Sequence, residues 1–345
     1  MRKEITLLTL ICLVCGMIFL PGTAEESKPE VFICGDYQYY LNEDESAAIA
    51  GYTGTENDVT IPETLDGHPV TGIGDDAFSK HADLTSVTIP DGITVIGQRA
   101  FDGCLALTSV TIPDSVTSIG NYAFRECKVL TPVELPTSVR EIGSWAFNQC
   151  DALRSIRIPD SVTVIPEGIF CGCSSLASVL IPDGVTILCD DAFCECGSLA
   201  SVTLPDSVAV IGNNAFSICP LTSVTLPDNV TYIGDHAFSN CSLASVTIPD
   251  GVTRIGEYTF YNCTELTSVL IPDSVTSIGD SAFSGCSALT SVTVPDSVTE
   301  ITDGAFLGCS ASFTLIAGRD SRAAQYAKEN GIICQYTDAS ELPAD

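Results

Sequence analysis

The stretch Ser268–Cys286, SVLIPDSVTSIGDSAFSGC, decides the fold, because close variants of it fill most of the chain. Each variant places a proline after an aliphatic residue, at intervals that settle to 22 or 23 residues. One phenylalanine, usually preceded by alanine, follows each proline: Phe78, Phe101, Phe124, Phe147, Phe170, Phe193, Phe216, Phe238, Phe260, Phe283 and Phe306. One copy cannot bury its own apolar face, so eleven copies at this period predict a solenoid stabilised by contacts between neighbouring turns.

The repeat divides into parts with different physical roles. The segment LTSVTIP alternates inward and outward side chains, as in Leu107, Val110 and Ile112, which predicts a short strand. Proline ends the hydrogen bonding of that strand, and DS or DG makes the turn. VTSIG supplies two further buried aliphatics, and AFxxC packs inward on a tight or single-turn helical segment. Parallel strands about 4.8 Å apart then form one continuous sheet on the inner face.

Cysteine occupies a fixed position three residues after the repeat phenylalanine. The members of this column are Cys104, Cys127, Cys150, Cys173, Cys196, Cys219, Cys241, Cys263, Cys286 and Cys309. A small, weakly polar side chain that recurs once per turn is typical of a solenoid core. The column therefore predicts buried thiols rather than reactive ones.

Cys171 and Cys194 depart from that column, because each directly follows the phenylalanine of its repeat. One turn of separation lies within the Cα distances that a disulfide tolerates, so the two form a candidate disulfide. Two reduced thiols, or a four-thiolate metal site with Cys173 and Cys196, are the alternatives. The inward direction expected of Cys173 and Cys196 counts against a metal, and we predict none.

The repeat and its flanking segments resemble BspA-like leucine-rich repeats, which occur in surface proteins of bacteria and of some protists. The consensus LxSVxIPxSVxxIGxxAFxxC carries the resemblance from about residue 61 to 309. GYTGTENDVTIPETLDGHPVTGIGDDAF resembles the N-terminal cap of that family, and SFTLIAGRDSRAAQYAKENGI resembles its C-terminal cap. The resemblance implies an α/β repeat solenoid, β-dominated and curved, with a parallel inner sheet. It also implies a binding role, often in adhesion to proteins of a host or of a neighbouring cell.

The N-terminus has the pattern of a secretory signal peptide, with basic residues, an apolar run Ile5–Leu20 and small residues up to Ala24. The run is shorter than the about 20 apolar residues of a membrane span, so we expect no membrane insertion after cleavage. An extracellular or cell-surface location is therefore expected. The expected segments are 1–24 signal peptide, 25–60 N-terminal cap, 61–311 leucine-rich repeats and 312–345 C-terminal cap with a short helix and tail.

A formal net charge of −30 repels nucleic acid and anionic lipid, both of which need clustered lysine and arginine. The three histidines, His68, His81 and His236, stand apart and form no catalytic pattern with serine or cysteine. Phosphate-binding glycine loops, HExxH and EF-hand spacing are absent from the sequence. We therefore predict no enzyme, no cofactor and no nucleic-acid partner.

The outward-facing column of the strands is mostly threonine, which carries little information. Glu134, Arg157 and Leu180 interrupt it in consecutive repeats, and Arg154 stands beside them in a basic cluster. Arginine is among the residue types that dominate interface energies. We predict that these four residues form a partner-binding hot spot on the concave sheet. The alternative is repeat drift, with Glu134 and Arg157 forming an ion pair of little consequence.

Trp145, the only tryptophan, stands in register with Tyr122 at a position that elsewhere holds mainly polar residues. This pattern predicts that both rings are exposed on the outer side of the solenoid, where a partner could bind them. The favoured function is a secreted or surface-displayed solenoid that binds an extracellular protein. The alternative is a structural coat rod without a specific ligand.

Overall fold

The computed structural model of the chain describes residues 29–337. The predicted signal peptide and the last residues of the predicted tail lie outside the described residues. The described chain forms two compact units. The first comprises the chain up to Leu153 together with Ile165–Phe170, and the second comprises Arg154–Val164 and the chain from Cys171 onward. Each unit is a stack of short parallel strands and tight turns, as the repeat predicts for a β-dominated solenoid.

The first unit opens with an antiparallel arrangement of β1, β2 and β3 and continues through two parallel ladders. One ladder pairs β4, β7 and β9, and the other pairs β3, β6, β8, β10 and β11 in that order. The strands are β1 Phe32–Cys34, β2 Tyr37–Leu41, β3 Ala47–Tyr52, β4 Asp58–Thr60, β5 Thr64–Leu65, β6 His68–Ile73, β7 Ser86–Thr88, β8 Val95–Ile96, β9 Ser109–Thr111, β10 Ser118–Ile119 and β11 Glu141–Ile142.

The second unit repeats the same two kinds of strand and adds one helix. Its parallel pairs include β12 with β14, β18 with β20, and the row β22, β24, β25. The strands are β12 Ser155–Arg157, β14 Ser178–Leu180, β15 Ile187–Leu188, β16 Val210–Ile211, β17 Tyr232–Ile233, β18 Ser245–Thr247, β19 Arg254–Ile255, β20 Ser268–Leu270, β21 Ser277–Ile278, β22 Ser291–Thr293, β23 Glu300–Ile301, β24 Thr314–Ala317 and β25 Ile333–Tyr336, with α1 Arg322–Glu329. Strand β13, Val164–Ile165, has one residue in each unit.

The three-residue strands of the repeats alternate as the sequence predicts. In β9 the side chains of Ser109 and Thr111 are exposed, whereas Val110 is buried. The two-residue strands bury their second residue, such as Ile119 in β10 and Ile142 in β11. One ladder therefore presents a row of polar side chains to solvent, and both ladders contribute aliphatic side chains to the core.

The expectation of one continuous inner sheet is wrong. Residues 131–136 of the first unit contain no strand, because Pro132 has no N–H to donate to a neighbouring strand. In the second unit one repeat is shortened to 22 residues, from Pro205 to Pro227. There a single bridge between Ser201 and Ser223 takes the place of a ladder. The parallel pairing is consequently divided into several short sheets.

The AFxxC segments are turns rather than helical segments. In one of them the N–H of Asp102 donates to the carbonyl of Arg99 at 3.1 Å, which closes the turn. The N–H of Phe101, by contrast, donates to the next turn of the solenoid, where the carbonyl of Ala123 accepts it at 2.8 Å. Neighbouring turns are therefore joined by backbone hydrogen bonds on this side as well as along the strands.

The repeat phenylalanines form stacks through the core of each unit. In the first unit the ring centroids of Phe78 and Phe101 lie 5.2 Å apart, and in the second those of Phe193 and Phe216 lie 5.4 Å apart. The planes of these pairs differ by only 13° and 5°. The stacking distance matches the spacing that parallel strands impose, so backbone pairing and ring stacking reinforce each other.

Aromatic side chains also close one end of each stack. In the first unit the ring of Tyr52 packs 5.3 Å from that of Phe78. In the second unit the ring of Phe313 packs 5.2 Å from that of Phe306, and buried Tyr326 of α1 meets Phe306 edge-on. The hydroxyl of Ser321 caps the start of α1 by accepting a hydrogen bond from the N–H of Ala324.

The cysteine column is buried except at the half-buried Cys309, and most of its thiols make a regular hydrogen bond. The Sγ of Cys127 donates to the carbonyl of Phe101 in the preceding repeat at 3.2 Å, and Cys286 does the same to Phe260. The thiol therefore satisfies a core carbonyl while remaining small enough to stack. Burial raises the pKa of Cys104 and of Cys263 to about 12, because the thiolate would lose its solvation.

We expect Phe216→Ala to lower the free energy of unfolding of the second unit by about 3–5 kcal/mol, because it leaves a cavity between two stacked rings. Urea denaturation followed by circular dichroism measures the change. Ile218→Ala is the matched control, since this side chain lies two positions later and is exposed. Equal effects of the two substitutions would contradict the assigned role of the stack.

We expect stability to fall as the pH rises from about 9 toward 12. A core thiol such as Cys263 has a raised pKa in the folded chain, so its stabilising effect is complete below its ordinary value of 9 and is lost above it. Urea unfolding midpoints between pH 8 and about 11 measure this fall. Cys263→Ala should make the fall shallower, and an unchanged slope would count against the proposed linkage.

Candidate binding surface

Three of the predicted hot-spot residues lie together in the second unit. Strands β12 and β14 pair in parallel with Arg157 directly opposite Leu180. Both side chains are exposed, and 52% of the surface of Leu180 is accessible. Arg154 is also exposed and directly precedes β12, and its carbonyl accepts the N–H of Ala177 at 2.9 Å. The backbone is thus fixed while the three side chains remain in solvent.

The guanidinium of Arg157 makes an ion pair within its own turn. Its Nη2 lies 3.1 Å from the Oδ1 of Asp160, three residues later. The two side chains are 62% and 78% exposed, so water and salt screen the pair strongly. A partner carboxylate can therefore compete for Arg157 at small cost.

Glu134 belongs to the first unit and is exposed. It does not lie on a strand as predicted: residues 131–136 form no strand, although the N–H of Thr131 still donates to the carbonyl of Thr108 at 3.1 Å. The hot spot predicted from the sequence is therefore divided between the two units: Arg154, Arg157 and Leu180 belong to the second unit, and Glu134 belongs to the first.

Tyr122 is half-buried in the first unit, not exposed as the sequence suggested. Two guanidinium groups lie over its ring, that of Arg99 at 5.6 Å and that of Arg125 at 5.3 Å from the centroid. Arg125 in turn donates to both carboxylate oxygens of buried Asp102, at 2.7 and 3.0 Å. The ring therefore makes cation–π contacts within the chain, and Arg125 neutralises the charge of Asp102 in the same cluster.

Trp145 is likewise half-buried in the first unit. It has a left-handed backbone with φ of 61°, and its N–H donates to the carbonyl of Glu167 at 2.8 Å. The indole covers Gly168 in the next turn, where an added Cβ would clash with the indole Cδ2. Trp145 therefore packs against a glycine that makes room for it, and the expectation of an exposed ring is wrong.

Cys171 and Cys194 meet in the second unit as thiols hydrogen-bonded to each other. The N–H of Gly172 donates to the carbonyl of Cys194 at 2.8 Å, which holds the two turns in register. The bond from the Cys194 thiol lowers the pKa of Cys171 and raises that of Cys194. Cys173 and Cys196 remain in the buried column. The disulfide stays a prediction.

Two further surface features of the second unit lie outside the predicted hot spot. Leu270 is 61% exposed on β20 opposite Thr247, beside a shallow groove of about 480 Å³. The rings of His236 and Tyr258 stack at 4.6 Å with planes 7° apart, and Tyr261 packs edge-on against Tyr258. An alignment of the repeats by position shows both features, because Leu270 replaces threonine and the rings replace polar residues.

The sequence of the repeats identifies the family. The profile of the BspA type leucine rich repeat region matches residues 71–200 and 186–313, with six copies. The chain belongs to the BspA-type leucine-rich repeat family. Among the described residues no helix is long and apolar enough to cross a membrane.

Solved structures agree with the BspA-type assignment. A leucine rich cell surface protein from Faecalibacterium prausnitzii is 33% identical, with 91% of this chain and 96% of that chain covered and a TM-score of 0.64. A leucine-rich repeat protein from Bacteroides ovatus is 26% identical, with 89% and 100% covered and a TM-score of 0.63. The pneumococcal vaccine antigen PcpA, at 14% identity with a TM-score of 0.51, shares the fold over 91% of this chain and 100% of its own. No curated protein matched the chain.

We expect Gly168→Ala to destabilise the first unit by about 2–3 kcal/mol, because the methyl group would clash with the indole of Trp145 in addition to straining the left-handed backbone. Gly304→Ala is the matched control. It has the same repeat position and a φ of +76°, but its nearest neighbour would be a serine Oγ at 3.3 Å. Thermal unfolding of the variants measures the difference.

The double variant Trp145→Ala/Gly168→Ala separates the destabilisation due to the clash with the indole from that due to the strained backbone. Removing the indole should bring the effect of Gly168→Ala close to that of Gly304→Ala, about 1 kcal/mol. An unchanged cost of Gly168→Ala in the Trp145→Ala background would contradict the packing of Trp145 on Gly168.

Proposed function

We propose that the chain is an extracellular or cell-surface binding protein that docks another protein on the outward face of β12 and β14. The observation that carries the proposal is the exposed group formed by Arg154, Arg157 and Leu180, in a unit whose outward strand positions are mostly serine and threonine. Membership of the BspA-type family and the 33% identical cell surface protein support the location and the binding role.

The partner is expected to present an acidic group beside an apolar contact. The chain as a whole carries a net charge of −30, and its electrostatic potential is therefore mainly negative. Two neighbouring arginines make the potential locally more positive. Arginine offers a planar set of donors that matches a carboxylate, and Leu180 offers an apolar contact on the facing strand. The same field disfavours nucleic acid and anionic lipid as partners.

The proposed function is recognition by a preformed surface, in which charge sets the association rate and the apolar contact contributes to the lifetime of the complex. The short ladders fix the backbone positions of these side chains before the partner arrives, which limits the backbone entropy lost on binding.

The experiment compares the wild-type protein with Arg154→Glu/Arg157→Glu in surface plasmon resonance against a panel of extracellular-matrix and cell-surface proteins. Arg254→Glu/Lys328→Glu is the matched control, because it changes the net charge by the same amount at exposed positions of the same unit. We expect the first variant to lose about tenfold or more in affinity and the control to bind like the wild type.

The results separate the competing functions. Binding that weakens at high ionic strength and in the arginine variant alone supports docking on β12 and β14. An equal loss of affinity in both double variants would show that net charge, rather than this site, determines binding. Binding that neither variant changes would keep a binding protein but remove the proposed surface. Absence of binding to every panel member would favour a structural coat rod.

A further inference from the structure

Two adjacent turns of the second unit carry a pair of thiols outside the buried cysteine column. Cys171 and Cys194 each follow the repeat phenylalanine directly, at a position that other repeats fill with Ser79, Ser217, Ser239 or Ser284. We propose that Cys171 and Cys194 are a dithiol site for thiol–disulfide exchange, which takes a small cationic disulfide as oxidant and cross-links the two turns.

The geometry of the turns brings the two residues together. The hydrogen bond from the N–H of Gly172 to the carbonyl of Cys194, at 2.8 Å, places equivalent positions of the two turns side by side. Neighbouring turns of this unit repeat at the spacing of their stacked rings, 5.4 Å for Phe193 and Phe216. A disulfide needs Cα atoms about 4.4–6.8 Å apart, so one turn of separation suits it.

The environment of the pair differs from that of the core thiols. Cys171 is partly exposed, whereas Cys194 is 9% exposed and donates its hydrogen bond to Cys171. That bond stabilises the Cys171 thiolate and lowers its pKa. Core thiols such as Cys263 point to a carbonyl of the preceding turn and have a raised pKa. Cys171 is therefore the nucleophile, and Cys194 is the resolving thiol.

The exchange is balanced in two steps. The Cys171 thiolate attacks one sulfur of the small disulfide, forming a mixed disulfide and expelling one thiolate, which takes up a proton. Cys194 then gives up its proton and attacks the Cys171 sulfur, expelling the second thiolate. The two cysteines lose two protons and two electrons in total, and the small disulfide takes up both protons and both electrons to become two thiols.

Charge around the pair selects the oxidant. The negative charges of Asp191 and Glu195 repel a negative charge on either thiol, so each carboxylate opposes the formation of thiolate. The same carboxylates repel an anionic disulfide and attract a cationic one, in a chain whose net charge is already −30. The favoured reagent is therefore a disulfide of an aminothiol, with cystamine as the simplest probe.

The test treats the full-length wild-type protein with cystamine or with oxidised glutathione at low and high ionic strength, followed by peptide mapping under acid quench. We expect loss of two hydrogens localised to the peptides of Cys171 and Cys194, at least tenfold faster with cystamine at low ionic strength. The difference should shrink at high ionic strength. Cross-linking should also raise the unfolding temperature, because it restricts the unfolded chain.

Single serine variants assign the roles, and serine suits this position because other repeats already hold it. Cys194→Ser should accumulate a mixed disulfide of Cys171 with the probe, and Cys171→Ser should leave Cys194 unmodified on the same time scale. Three results would overturn the proposal: no bond between the two cysteines, first modification at Cys34, Cys309 or Cys334, or a disulfide-linked dimer as the main product.

Discussion

Hydrogen bonds and ring stacking between successive turns are the contacts on which the rest of the structure depends. The N–H of Phe101 bonds to Ala123 of the next turn, and the ring of Phe101 stacks at 5.2 Å on that of Phe124. Both contacts join a turn to its neighbour rather than to itself, so a single turn has no core of its own. Because the strands space the turns at nearly the stacking distance of aromatic rings, neither contact strains the other.

Stacking at this spacing makes each side chain meet its own equivalent one turn away. The carboxylate of Asp190 accepts the N–H of Asn213 at 2.7 Å, the amide oxygen of Asn213 accepts the N–H of Asp235, and Asp235 accepts that of Glu257. Part of the acidic character of the chain is thus structural, since these oxygens complete the hydrogen bonds of the turns. The thiol site that we propose lies where a column changes, at Cys171 and Cys194.

The period, the buried columns and the family could be predicted from the sequence. Each of these patterns recurs in enough repeats to be recognised despite the sequence variation between repeats. The surroundings of single residues could not. Whether Trp145 is exposed depends on the direction set by a left-handed backbone and on the space left by Gly168, and neither is a property of Trp145 itself. Glu134 keeps the strand position in sequence, but Pro132 removes the pairing that would make it part of a sheet.

The dependence of each turn on its neighbours alone also determines how such a chain responds to tension. Force applied at one end of a unit acts first on the outermost turn, whose hydrogen bonds and ring contact are the only ones that must break for it to detach. A released turn of 23 residues supplies about 80 Å of extended chain. A solenoid of this kind therefore lengthens in steps under load and absorbs work, while the turns farther along keep their surface intact.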